Sequence, residues 1–266
     1  METLNLKEIQ QEELNILEKA IKFLDKNNIK YYIAYGTLLG AVRHQGFIPW
    51  DDDIDLMMFR EDYDKLVKIL KDDNKISNNL EAIAFELDNS DWPFIKIVNK
   101  DIIVETEENC DKNLWIDIFP LDKSFDKKSI NKIYKKIIKC LYGIKRYFIT
   151  KNKIAIPYFK IKKIINLIIK PIKYETIIKK YIKICKNNKA KQNTYVSDNI
   201  WNDFNKNYNK VWFKDKKIKF ESLEVNAIDG YDDFLKEEYG NYMELPPEDQ
   251  RVSHNIKAYR RKNIEK

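Results

Sequence analysis

Tyr-Tyr-Ile-Ala-Tyr-Gly-Thr-Leu-Leu-Gly-Ala-Val-Arg-His-Gln-Gly-Phe-Ile-Pro-Trp-Asp-Asp-Asp-Ile-Asp-Leu, residues 31–56, decides the fold. Its apolar start predicts a strand ending at Gly36. Thr37 then caps a short helix through Leu38, Leu39 and Val42, and the chain returns through Gly46 and Pro49 into an acidic strand. A strand that turns through glycine into a helix leaves backbone N–H groups pointing outward, where the helix dipole adds partial positive charge. A phosphoryl group fits there, so Gly36 and Thr37 are candidate phosphate contacts.

In the acidic strand, alternation sends Asp53 and Asp55 to one face and Ile54 and Leu56 to the other. Two carboxylates on one face can hold Mg²⁺, which prefers oxygen ligands. A third carboxylate is expected from a neighbouring strand. Trp115-Ile116-Asp117-Ile118-Phe119 offers one, because Asp117 interrupts an apolar run and is costly to bury without a cation or a hydrogen-bond network. A calcium loop is the competing reading, since Asp51, Asp53 and Asp55 match its first ligand positions. It fails because Leu56 stands where the loop needs glycine and Asp62 where it needs glutamate.

Three segments together resemble the LicD family of bacterial phosphocholine transferases, related to the fukutin group and to the nucleotidyltransferase fold. They are Gly-Thr-Leu-Leu-Gly-Ala-Val-Arg-His from Gly36, Phe-Ile-Pro-Trp-Asp-Asp-Asp-Ile-Asp from Phe47, and Trp-Ile-Asp-Ile-Phe-Pro-Leu-Asp from Trp115. The likeness is specific within residues 31–64 and 113–122, weaker from Tyr239 to His254, and covers less than half of the chain. It implies transfer of phosphocholine, or a similar phospho-alcohol, from a CDP-activated donor such as CDP-choline to a sugar hydroxyl. The acceptor would be a cell-surface glycan (lipopolysaccharide, teichoic acid or capsule) and the other product CMP. Asp53, Asp55 and Asp117 would hold one or two Mg²⁺ ions, with Mn²⁺ as a substitute, and Asp117 would take the acceptor's proton. Arg43-His44 and Arg251-His254 bring the two histidines of the chain beside arginines, as candidate contacts to the nucleotide or acceptor phosphate. Tyr35, Trp50, Trp92 and Trp115 are aromatic faces that a quaternary ammonium could use, although core packing is the better explanation of them. A conventional nucleotidyltransferase, adding an NMP and releasing pyrophosphate, would use the same carboxylates. A catalytically silent scaffold is the other alternative.

The rest of the chain predicts an α+β fold: a nucleotidyltransferase-like mixed sheet flanked by helices, formed by residues 1–122 and 193–266, with an inserted lysine-rich helical subdomain at 123–192. Residues 5–27 read as an amphipathic helix and Glu61 to Leu70 as a second. Residues 80–87, 94–98 and 101–106 read as strands, with Lys96 either an edge-strand lysine or a phosphate contact. Trp212-Phe213-Lys214 opens a hairpin, Phe220 to Ala227 is a strand, and Tyr231 to Tyr239 a helix stopped by Gly240.

The net charge of +7 implies an anionic partner. It resides between Lys123 and Lys191, where 22 Lys or Arg meet only Asp126 and Glu175, so the remainder is acidic overall. Apolar residues recur there at helical spacing, predicting two to four helices interrupted near Pro157 and Pro171. Lysines can simply solvate such helices. A sharper expectation is peripheral contact with an anionic membrane through residues 127–191. Nucleic acid ranks below it, because no RNP or helix-turn-helix signature is present. Cys110, Cys140 and Cys185 are widely spaced and read as reduced thiols. With no secretory or membrane-spanning pattern, the expected location is cytoplasmic, at most peripheral at the inner face of the membrane.

Overall fold

The computed structural model describes residues 1–105, 113–125, 130–150, 157–186, 194–201, 206–251, 253 and 256–261. In chain order they form β1 (Glu2–Leu4), α1 (Leu6–Lys26), β2 (Tyr32–Ile33), α2 (Tyr35–His44), β3 (Asp55–Phe59), α3 (Arg60–Asp72), β4 (Leu80–Ile83), β5 (Ile95–Glu105) and β6 (Asn113–Lys123). Then follow α4 (Ile130–Thr150), α5 (Phe159–Ile168), α6 (Tyr174–Lys186), β7 (Tyr195–Ser197), β8 (Tyr208–Asn209), β9 (Asp215–Phe220), β10 (Leu223–Ile228), α7 (Tyr231–Tyr239) and β11 (Lys257–Arg260). The class is α+β, as the sequence predicts.

The main sheet has the order β1-β11-β5-β6-β3-β2, with β4 also on β5 and β7 joining the end of β6 to β8. β3 and β6 run parallel, and the other described pairings are antiparallel. Its hydrophobic faces require cover. α1 supplies part of it: a capping box between Asn5 and Glu8 starts the helix, and Ile9, Leu17, Ala20 and Leu24 are buried along it. β9 and β10 form the hairpin expected after Trp212-Phe213-Lys214, and α7 has the predicted span.

Several local expectations need correction. The first strand stops at Ile33, and α2 begins at Tyr35, so Gly36 lies inside the helix. Residue 34, not Thr37, is the N-cap, and no side chain caps that end. β4 ends at Ile83 and gives way to a 3-10 turn at Phe85–Leu87. Residues 95–105 are one strand, with a register shift between Asn99 and Ile103 where two strands were expected. Lys96 is therefore on an interior strand, which removes the edge-strand reading.

The chain leaves the sheet at the end of β6 and re-enters it through β7, where Asp122 faces Ser197. Between them come α4, α5 and α6; α5 follows Pro157 and ends before Pro171. Tyr142 of α4 stacks on Tyr174 and Tyr181, while Ile177, Ile178 and Ile182 of α6 are buried in the same core as the sheet. Cys140 is exposed and Cys185 buried, both as free thiols; Cys110 lies outside the described residues. Among the described residues no helix is long and apolar enough to cross a membrane.

These helices meet the sheet over a buried polar cluster. Asp198 accepts from the backbone N–H groups of Ile200 and Trp201 at 3.0 and 2.9 Å, and from the Tyr35 hydroxyl at 3.2 Å. Burial is the dominant influence on its carboxyl and pushes it up to about 6, against the pull of those N–H groups and of Lys135. The folded state therefore binds this proton more tightly than the unfolded chain. The resulting stabilisation is full below about pH 4 and is lost as pH rises through about 6. Asp198→Asn keeps the hydrogen-bonding shape without the charge. It is expected to leave urea stability nearly unchanged near pH 4 and to raise it by about 1–3 kcal/mol above pH 7.

Candidate active site

The site is built by register. Asp55 opens β3 and lies directly opposite Asp117 on the parallel strand β6. Asp117 in turn faces Lys96 on β5. Cross-strand partners share a face, so three ionisable side chains stand in one row across three adjacent strands. Asp53 precedes β3, in irregular backbone. Strand alternation thus does not place Asp53, but its charge is the largest of those acting on Asp55, while Asp117 meets Asp55 from the neighbouring strand.

Asp117 has the network that its burial demands. Lys96 Nζ lies 3.0 Å from Asp117 Oδ1, and Trp115 Nε1–H donates to Oδ2 at 3.2 Å. The Lys96 ammonium also sits 4.2 Å from the ring centres of both Trp92 and Trp115. A lysine only 2 % exposed is tolerable in this setting because a carboxylate and two indole faces replace its water. The two indoles expected as faces for a substrate ammonium thus already receive one from the protein.

Thr37 has a different task from the capping expected of it. Its Oγ1 accepts from the backbone N–H of Asp55 at 2.8 Å, pinning α2 to the start of β3. Tyr35, the first helical residue, has φ +43°, a left-handed conformation that costs a bulky residue strain and recurs at functional sites. Its ring packs edge-on against Phe119. Gly36 faces Asp51: a Cβ there would lie 2.9 Å from Asp51 Oδ2, so only glycine leaves that carboxylate in place. The α2 turn and the acidic segment therefore meet, as the sequence predicts.

A further carboxylate escaped the sequence reading. Glu13 of α1 is 1 % exposed, and its Oε2 finds no hydrogen-bond partner among the described residues. One turn earlier, Gln10 donates to the carbonyl of Asp51 at 2.8 Å, which seats this part of α1 over the acidic segment. Burial first, then the charges of Asp53, Asp52, Asp51 and Asp55, hold the Glu13 carboxyl far above its ordinary range. Its signal was its place in the apolar stripe, four residues from both Ile9 and Leu17. Burial likewise raises Asp55, helped by Asp53, Asp117 and Asp51 and opposed by Lys96.

The site is thus overloaded with negative charge. Its donors are hard oxygens, its buried carboxyls hold protons tightly, and one carboxylate oxygen is orphaned. Those properties fit a divalent cation of the Mg²⁺ kind. Among the described residues, however, no group of three or more acidic, histidine or cysteine side chains is arranged to hold a metal ion as it stands.

The basic candidates gather around Trp50. Arg43 Nε donates to His44 Nε2 at 3.0 Å, and Arg43 Nη1 to the carbonyl of Tyr242 at 2.7 Å. The Arg251 guanidinium lies 5.1 Å from the Trp50 ring centre, and His44 is edge-on to the same ring. Partial burial, then the charge of Arg43, lowers the His44 imidazole, favouring the neutral form. His254 lies outside the described residues. Beyond Asp117, Phe119 points to the same face of β6, where Trp201, 55 % exposed, stacks over it with ring centres 6.0 Å apart. Trp201 also meets Phe94 edge-on at 5.6 Å. Nothing in the sequence linked Trp201 to the motifs, since it arrives from the far side of the helical segment.

Comparison with known proteins supplies the context. Residues 28–148 match the family model described as LicD/FKTN/FKRP, nucleotidyltransferase domain. The lipopolysaccharide cholinephosphotransferase LicD of Haemophilus influenzae is 30% identical over 272 residues, covering 96% of this chain and 98% of that protein. The ribitol 5-phosphate transferase FKRP of Homo sapiens is 46% identical over 39 residues, 15% of this chain and 8% of its own length. An uncharacterized protein of Rickettsia prowazekii, RP689, is 54% identical over 55 residues, 21% of each chain.

The Lys96–Asp117 pair yields a direct test. Lys96→Met leaves a buried carboxylate without its counter-charge, and in metal-free buffer it is expected to cost about 3–5 kcal/mol in urea unfolding. Lys96→Met combined with Asp117→Asn should recover most of that loss, giving a large coupling energy in the double-mutant cycle.

Proposed function

This chain belongs to the LicD family, and on that premise we propose that it transfers phosphocholine from CDP-choline to a sugar hydroxyl of a cell-surface glycan, releasing CMP. The coarser statement stands on the family itself: the chain is a phosphotransferase of the phospho-alcohol-transferring kind. The observation that carries the finer reading is the row formed by Asp55, Asp117 and Lys96 next to the α2 turn.

In the reaction the phosphoanhydride bond of the donor breaks, a phosphoester bond forms to the acceptor oxygen, and the acceptor's proton passes to a carboxylate. Gly36 at the start of α2 makes room for the Asp51 carboxylate, and the first backbone N–H groups of α2 are the candidate donors to a phosphate oxygen. Asp53, Asp55 and Asp117 would hold Mg²⁺, which when bound neutralises charge on the transferred phosphoryl and the leaving CMP. The sequence points to Asp117 as the base. Its ion pair with Lys96 holds it in the row directly beside Asp55. Arg43, His44 and Arg251, gathered around Trp50, are assigned to the nucleotide or acceptor phosphate.

The head group is assigned as choline from the aromatic surface beside Asp117. A quaternary ammonium offers no hydrogen-bond donor and is held by ring faces, each worth about 0.5–2 kcal/mol. The exposed Trp201 over Phe119 offers such a face without displacing Lys96 from its indoles. The acceptor is a glycan, in keeping with what the Haemophilus relative's name states of that protein.

Incubating the protein with Mg²⁺ and a panel of CDP-alcohols should release CMP, fastest from CDP-choline. Pyrophosphate from an NTP would instead establish a conventional nucleotidyltransferase. Asp53→Asn and Asp55→Asn should each abolish CMP release. The Asp55 variant should melt at or above the wild-type temperature, because it removes a crowded buried charge. Trp201→Ala is expected to raise KM for CDP-choline several-fold (about 1 kcal/mol of ring contact) while leaving KM for a CDP-polyol unchanged.

A further inference from the structure

α5 is built inside out. Its outward side carries Ile161, Ile164, Leu167 and Ile168, which are 58%, 57%, 60% and 71% exposed. Lys162 and Asn166, by contrast, are partly covered together with Ile165. None of the residues of α5 is buried. Each large apolar side chain left in water forgoes about 1.5–3 kcal/mol that burial would supply. A fold free to rotate this helix would turn its isoleucines inward.

Two contacts hold it in the exposed orientation. At one end Phe159 packs against Phe148 and Tyr147 of α4, with ring centres 5.8 and 6.4 Å apart. At the other, Lys145 Nζ donates to the carbonyls of Ile169 and Lys170, both at 3.3 Å. The first half of α4 repeats the inversion: Ile133 and Ile137 are exposed, while Lys135 between them is buried.

The surrounding charge is of one sign. From Lys127 to Tyr174 the chain contains no acidic residue, and Lys160, Lys163, Lys170 and Lys173 accompany the exposed isoleucines on or next to α5. A second copy of the chain would set these lysines against one another across a symmetric contact, which costs free energy. Protein partners are also poorly matched, because interfaces are depleted in lysine and enriched in Tyr, Trp and Arg. Aliphatic side chains bordered by lysines on a short helix suit a bilayer surface, with the apolar groups at the acyl boundary and the ammonium groups among phosphates. Among the described residues no helix can span a membrane, so the contact lies in the plane of the interface.

We propose that the outward face of α5, led by Ile161, Ile164, Leu167 and Ile168 and assisted by the flanking lysines, docks the protein on anionic lipid bilayers. The proposal goes beyond the reaction assigned above and holds whichever phospho-alcohol is transferred, because it is read by binding and not by turnover.

The test is flotation of the full chain with phosphatidylcholine vesicles, with and without phosphatidylglycerol. The wild-type protein should float with the anionic vesicles at low salt, far less with neutral ones, and less as salt is raised. Ile164→Asn combined with Ile168→Asn should cut the bound fraction roughly tenfold or more at limiting lipid. Melting temperature and CMP release from a soluble acceptor should be unchanged, since both side chains are exposed. Lys160→Gln with Lys163→Gln should weaken binding to anionic vesicles and flatten the salt dependence. Failure of the wild-type protein to float at low salt would overturn the proposal. So would flotation that the isoleucine variant retains in full, or gel filtration showing a wild-type oligomer that the isoleucine variant converts to monomer. The last result would assign the face to a second copy of the chain.

Discussion

The pairing of Lys96 with Asp117 is the constraint on which the rest of the site depends. A carboxylate in the middle of a hydrophobic strand must be answered from within the sheet, and β5 answers it at the matching register position with a lysine clasped between two indoles. The parallel partner β3 can then set Asp55 beside it without two bare charges facing each other across the ladder. A one-residue slip of β5 would turn Lys96 to the opposite face and leave Asp117 unanswered, so the ion pair also locks register. Fixing the row fixes α2 as well, because Thr37 is bonded to the backbone of Asp55.

Around that row the protein concentrates charge that the fold alone would not choose. Burial first, and then the charges of the neighbouring aspartates, raise Glu13 and Asp55 far above ordinary carboxyls, and Tyr35 adds a strained backbone at the helix entry. Such crowding destabilises the site and fits the divalent cation proposed for it. The hydrophobic cover from α1 holds the cluster closed, even though the same helix delivers Glu13 into it.

Much of this could be read in the sequence where the signal was local. The helices at α1 and α7, the hairpin after Trp212, the breaks near Pro157 and Pro171, and the meeting of Gly36 with the acidic segment follow from periodicity, capping and turn chemistry. Asp117 stood out because a charge within an apolar run needs an explanation. What escaped was tertiary. The left-handed start of α2 at Tyr35 moved the helix forward and turned Thr37 from cap to strap, and no local rule assigns that conformation to tyrosine. Lys96 could be read either as an edge residue or as a phosphate contact, because strand order is not written in a strand. Glu13 was hidden by its own helix, where an acid in the apolar stripe passed for part of the solvated face. Trp201 reaches Phe119 from a segment that returns only after three helices.

The helices between β6 and β7 obey the opposite of the usual rule in two places, and the two exceptions point the same way. Lys135 is buried beside Asn199 and the Phe125 ring, and burial pushes its ammonium down to about 8; α4 accepts that cost while leaving Ile133 and Ile137 in water. α5 turns its isoleucines outward under the hold of Phe159 and Lys145. A segment that merely solvated its lysines would turn the isoleucines of α5 inward and its lysines outward. The inversion is therefore better explained by selection on the outward surface than by folding. A surface of aliphatic groups ringed by ammonium groups has its natural complement in a sheet of phosphates over hydrocarbon.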